Sequence, residues 1–115
     1  MAKKEIYAYP EKLSIYEKLI TTFPNLERKG AKMPYTSVNG NMFSLLDENG
    51  MLGLRLPEAE RNSFIKNYKT KLCEAHGTIL KEYVLVPDNV FNNKSFRSYF
   101  NISLKYTSGL KSKAK

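Results

Sequence analysis

Apolar residues recur along the chain with two distinct periods. From Glu11 to Phe23 they fall at Leu13, Tyr16, Leu19/Ile20 and Phe23, the spacing of a half-buried helix. Pro10 suits the first helical position, Glu11 complements the positive end of the dipole, and Pro24 ends the helix by restricting Phe23. From Ala31 to Leu56 the pattern shortens towards alternation, and Asn-Gly occurs twice, at Asn39-Gly40 and Asn49-Gly50. A type I′ turn needs positive φ at both central residues, which this dipeptide tolerates. The stretch therefore predicts two successive hairpins, a three-stranded ribbon.

Turn position sets register, and register sets faces. A two-residue turn at Asn49-Gly50 places Leu45 opposite Leu54, Phe43 opposite Leu56 and Asp47 opposite Leu52. The same turn at Asn39-Gly40 places Thr36 opposite Phe43 and Pro34 opposite Leu45, which completes one strongly apolar face. Pro34 cannot donate a ladder hydrogen bond, so its strand is expected at an edge or interrupted there. The other face then carries the rows Tyr35, Ser44, Arg55 and Met33, Leu46, Gly53, with Met42 and Met51 nearby.

Beyond the ribbon, Pro57 to Tyr68 predicts a second helix, with Glu58 and Glu60 at its positive end and Lys66, Lys69 and Lys71 near its negative end. Phe64, Ile65, Tyr68 and Leu72 make its apolar stripe. Gly77 breaks the pattern, and the β-branched and aromatic run Thr78 to Val86, stopped by Pro87, predicts a strand with an interior place in the sheet. Asp88 is a candidate N-cap. A short turn through Phe91 leads to a final helix from about Lys94 to Leu110, with Phe96, Phe100, Leu104 and Thr107 on one face.

At 115 residues the chain suits a single domain with one core. The expected division is residues 1–110 as the domain and 111–115 as a basic disordered tail. No run approaches the roughly 18 apolar residues of a membrane helix, and the N-terminus lacks the apolar centre of a secretory signal. One cysteine, Cys73, permits no internal disulfide. The expectation is a cytoplasmic protein without a membrane partner, and Asn93-Lys94-Ser95 and Asn101-Ile102-Ser103 are then chance matches to a glycosylation sequon.

The formal charge of +8 is unevenly placed. Up to Asp88 there are 13 Lys/Arg against 11 Asp/Glu; from Asn89 onward there are six basic residues and no acid. The excess divides between Lys94, Arg97 and Lys105 in the final helical segment and Lys111, Lys113 and Lys115 in the tail. With interleaved Tyr and Phe, this segment could contact phosphates and stack on bases. An amphipathic helix with a solubilising tail is the plainer reading, since no helix-turn-helix or zinc-finger pattern accompanies the charge.

Catalytic chemistry finds little support. Cys73 and His76 have C-x-x-H spacing, but a structural zinc site needs four ligands and the sequence has no other Cys or His, so the plainer reading of the pair is a helix-to-strand connection. Glu58 and Glu60 point in different directions on a helix, so they do not form a carboxylate pair for one bond. Gly40, Gly50 and Gly53 follow no phosphate-loop spacing. No cofactor, metal or small-molecule substrate is expected. The face with Met33, Tyr35, Met42, Ser44, Leu46, Met51 and Arg55 is the candidate interaction surface, because Arg beside Tyr can take a carboxylate and adaptable apolar residues suit a partner or a homodimer.

The segments ERKGAKMPYTSVNGNMFSLLDENGMLGLRLPEAER and KEYVLVP give the chain a resemblance to the N-terminal-domain family of TfoX/Sxy, bacterial proteins associated with regulation of competence for DNA uptake. It covers roughly Leu13 to Leu110 and rests on the Asn-Gly turns, Met-Phe opening the second strand, the Leu-Arg-Leu-Pro exit into a helix, and Tyr-Val-Leu-Val-Pro. The resemblance implies an α+β, two-layer domain, an antiparallel sheet packed by helices and similar to secretion-chaperone-like folds, with self-association common. Regulators of the family carry a further C-terminal domain, so the expectation here is a single-domain member. The expected function is that of a non-enzymatic regulatory or interaction domain with a protein partner; nucleic-acid binding is the alternative.

Overall fold

In the computed structural model, which describes residues 9–24, 26–30, 34–47, 49–75 and 77–110, the helices and strands alternate in blocks. Helix α1 spans Pro10–Thr21, β1 Tyr35–Val38, β2 Asn41–Leu46, β3 Leu52–Arg55, α2 Glu58–Tyr68, β4 Leu72–Ala75, β5 Thr78–Val86, α3 Asp88–Phe91 and α4 Phe96–Ser108. The five strands form one sheet in the order β1-β2-β3-β5-β4, with every neighbouring pair antiparallel. This is the α+β architecture expected from the sequence. β1 is an edge strand that starts after Pro34, and β5 lies inside the sheet between β3 and β4.

The two Asn-Gly turns behave differently. Asn39 and Gly40 have φ of 55° and 79° and join Val38 to Asn41 directly, the I′ geometry expected. At the second turn, Asp47 and Met51 close the hairpin: Asp47 N donates to Met51 O at 2.9 Å, and Gly50 has φ 78°. Gly50 supplies the left-handed step and its N–H donates to the Asp47 carbonyl at 3.1 Å, so Asp47 and Met51 flank a turn one residue longer than the Asn-Gly pair alone would make. Asp47 Oδ1 holds it by accepting the N–H groups of Asn49 and Met51 at 2.8 and 3.0 Å.

That extra residue moves the register by one. Ser44 faces Leu54, Leu45 faces Gly53 and Leu46 faces Leu52. A bulge between Thr36 and Ser37 carries the shift into β1, so Thr36 faces Ser44 and Tyr35 faces Leu45. Two rows turn towards the helices: Thr36, Ser44, Leu54 and Val84, then Leu46, Leu52 and Val86, all buried. Ser44 and Leu46 are thus core residues, and Leu45 belongs to the opposite side. Phe43 stays inside because it is the residue passed over at the bulge; its ring lies 5.3 Å from Phe100 of α4.

Tyr16 of α1 reaches this face and shares a hydrogen bond with Ser44 Oγ at 2.6 Å; Ser44 in turn pairs with Thr36 Oγ1. The chain of hydroxyls satisfies three buried polar groups inside an apolar layer. Burial raises the Tyr16 pKa, so the phenol stays protonated. Around it Ile20, Phe23, Phe64, Phe91, Phe96 and Phe100 form one continuous core between helices and sheet. Phe64 of α2 meets Tyr99 of α4 edge-on with centroids 5.1 Å apart, which links those two helices.

Three further expectations need correction. Leu72 belongs to β4, not to the stripe of α2, because Lys69 adopts φ 52° and ends that helix with a left-handed cap. Cys73 is therefore in a strand and not in a connecting loop. Asp88 makes no side-chain cap; it forms an ion pair with Lys12 of α1 at 2.7 Å. The register of β4 slips between Leu72, opposite Val84, and Cys73, opposite Leu80. There the sheet curls until Cys73 Sγ and Leu45 Cδ2 would each lie 2.9 Å from a Cβ on Gly53.

Candidate functional site

The outer side of the ribbon does not gather the residues the sequence suggested. Ser44 and Leu46 lie in the core, and Leu45, which takes the outer position, is covered beside Cys73. Tyr35 is half-buried opposite Leu45. Met42 pairs with Ser37 next to the first turn while Met51 pairs with Asp47 at the second, so the two methionines sit at opposite ends of β2, about 16 Å apart at the usual rise of a strand. Met33 lies outside the described residues.

Arg55 is engaged within the molecule. Its Nε donates to Glu82 Oε1 at 2.8 Å, its Nη1 to the Met42 carbonyl at 3.3 Å, and its guanidinium carbon lies 5.5 Å from the Tyr83 ring centroid. Tyr83 donates its hydroxyl proton to the same Met42 carbonyl at 2.7 Å. Burial raises the Tyr83 pKa, while the nearby Arg55 charge opposes that shift. The cluster ties β2, β3 and β5 together and leaves Arg55 neutralised by Glu82, a poor seat for an external anion.

Cys73 is fully buried. Burial, assisted by the Asp47 carboxylate and opposed by a hydrogen bond from the Glu74 backbone, pushes its pKa up to about 11. At neutral pH the thiol is protonated, the wrong state for a nucleophile or a metal ligand. Among the described residues no group of three His, Cys, Asp or Glu side chains is arranged to hold a metal; His76 lies outside them. A cleft of about 260 Å³ between the second hairpin turn and β4 is lined by Asp47, Asn49, Met51, Lys71 and Glu74, and its charges are of both signs.

A second concavity, of about 380 Å³, lies among α1, α3 and α4. Ile15 and Leu19, one helical turn apart on α1, form one apolar wall; Phe91 and Phe96 form the floor. Lys18, Lys94 and Arg97 stand exposed on its rim, and no carboxylate lines it. Arg97 is held in place: Nε donates to Thr22 Oγ1 and Nη2 to the Thr22 carbonyl, both at 3.0 Å, and the guanidinium sits 4.3 Å above the Phe23 ring. These partners are uncharged, so the positive charge stays uncompensated.

Sequence reading singled out Lys94 and Arg97 but missed the wall opposite. The signal lay in Ile15, which with Leu19 of the predicted stripe makes an i, i+4 pair on its flank and widens the apolar face of α1. Lys105 sits at the far end of α4, roughly 12 Å from Arg97 along the helix axis, away from the groove. Lys111, Lys113 and Lys115 lie outside the described residues. No described helix is long and apolar enough to cross a membrane. Compared with family models, curated proteins and solved structures, the chain matches none.

Proposed function

We propose that the chain is a non-enzymatic interaction domain that acts by protein–protein association, and that its contact surface is the groove between α1 and the α3–α4 segment. The observation that carries this reading is the combination of an apolar floor and wall with three exposed cations and no lining acid. An apolar centre with a polar rim is the anatomy of a protein interface. Kinship with the TfoX/Sxy N-terminal domains, and with it a regulatory role in a cytoplasmic setting, forms part of the proposal; it rests on the sequence segments that carry the resemblance.

Nucleic-acid binding through the basic C-terminal segment is the competing reading. It draws on Lys94, Arg97 and Lys105, but Arg97 is turned onto Thr22, and Lys105 stands apart from the other two. The test is quantitative co-purification of the tagged chain with and without Lys18→Glu/Lys94→Glu, before and after nuclease. A stoichiometric protein partner that survives nuclease and is lost with the double substitution is the expected result. A monomeric chain with no partner, or a partner released by nuclease, contradicts it.

A further inference from the structure

Building on that reading, we infer that the groove's occupant is an acidic amphipathic helix of a partner protein, with two apolar anchors one turn apart flanked by carboxylates. Charge supplies the first argument. Among the described residues neither Lys18 nor Lys94 pairs with a carboxylate, and Arg97 bonds only to the neutral Thr22. Two cations on or beside α1 do have carboxylates, Lys12 with Asp88 and Arg28 with Glu17, and neither lines the groove. Three like charges around apolar side chains set up a positive local field that favours an anionic partner. The wider excess of +8 steers such a partner inward.

Shape supplies the second. The walls are helices, Ile15 and Leu19 repeat at one helical turn, and the groove runs open between them and Phe96. Two anchors spaced i, i+4 on an incoming helix fit that interval, the usual way a helix lies in a groove. A free long-chain carboxylate shares the chemistry of an apolar group beside an anion, but small-ligand sites enclose most of the ligand. An open groove of about 380 Å³ with half-buried walls leaves a long acyl chain largely wet. A duplex offers phosphates and no apolar anchor, so Ile15 and Leu19 would gain nothing from it.

The test uses the full chain, isotope-labelled, titrated with a synthetic helical peptide carrying Leu and Phe at i and i+4 flanked by Glu. Saturable amide shifts centred on Ile15, Lys18, Leu19, Lys94 and Arg97 are expected. Lys18→Glu/Lys94→Glu should weaken binding about ten-fold or more, and replacing the anchors with Ser should do the same. Lys94→Glu alone lies between α3 and α4, outside both helices, so it reports on the rim with the fold intact, and it should weaken binding measurably. Equal binding of polyglutamate or of duplex DNA overturns the inference, as do shifts centred elsewhere or no saturation at about 1 mM peptide. If the peptide fails while the double substitution still removes a co-purifying protein, the occupant is wrong and the interaction surface stands; if no such protein exists, the underlying reading fails as well.

Discussion

Gly53, Leu45 and Cys73 meet where the sheet curls over itself, and the fit leaves no room for a methyl group. A Cβ on Gly53 would stand 2.9 Å from both Cys73 Sγ and Leu45 Cδ2, closer than atoms in a packed interior approach. Gly53→Ala is expected to destabilise by about 1–3 kcal/mol in urea unfolding, and adding Cys73→Ala should return part of the loss by removing one of the two obstacles. The thiol also titrates. Its pKa rises from the ordinary 9.0 to about 11 on folding, so the folded state holds the proton more tightly. The stabilisation linked to it is complete below pH 9 and is lost as pH climbs through 11. Aromatic disulfide reagents at pH 8 should label Cys73 at the rate of chain opening, and quickly only in denaturant; rapid labelling of the native protein contradicts its burial.

Among the elements, the second hairpin decides what the ribbon exposes. Both Asn-Gly pairs were legible as turns, and the first forms as the dipeptide dictates. At the second, the Asp47 side chain competes with the ladder: by accepting two backbone N–H groups it favours a longer turn, and nothing in the Asn-Gly pair itself reveals that choice. One added residue exchanged Leu45 with Ser44 and Leu46 across the sheet, which removed the supposed Tyr35, Ser44, Arg55 row. β3 was read correctly, since Leu52, Leu54 and Leu56 are all core. β4 was missed because its short run follows an apolar helix stripe that continues to Leu72. Asp47→Ala should cost about 1–2 kcal/mol by orphaning the N–H groups of the turn, whereas Asp47→Asn, which keeps an acceptor oxygen, should stay close to the parent. Equal stability of all three would point back to a two-residue turn and the other register.

At the scale of the whole molecule, the groove of the helix layer brings Lys18, Lys94 and Arg97 around apolar side chains with no carboxylate in its lining, whereas Arg55 and Lys12 are matched by Glu82 and Asp88. On the sheet's other side Leu45 is covered and Met42 and Met51 lie at separate ends of β2, so the apolar residues expected to form one surface are not gathered there; Ile79, at the β4–β5 hairpin, is the exposed large hydrophobic residue among those described. The association surface we propose therefore belongs to the helix layer. Photo-crosslinking tests this most directly, with a benzophenone amino acid placed singly at Lys18, Lys94 or Tyr35 in the full chain within cells that express it. The expected result is one protein captured from both Lys18 and Lys94 and absent from Tyr35; capture from Tyr35 with none from the two lysines would contradict it.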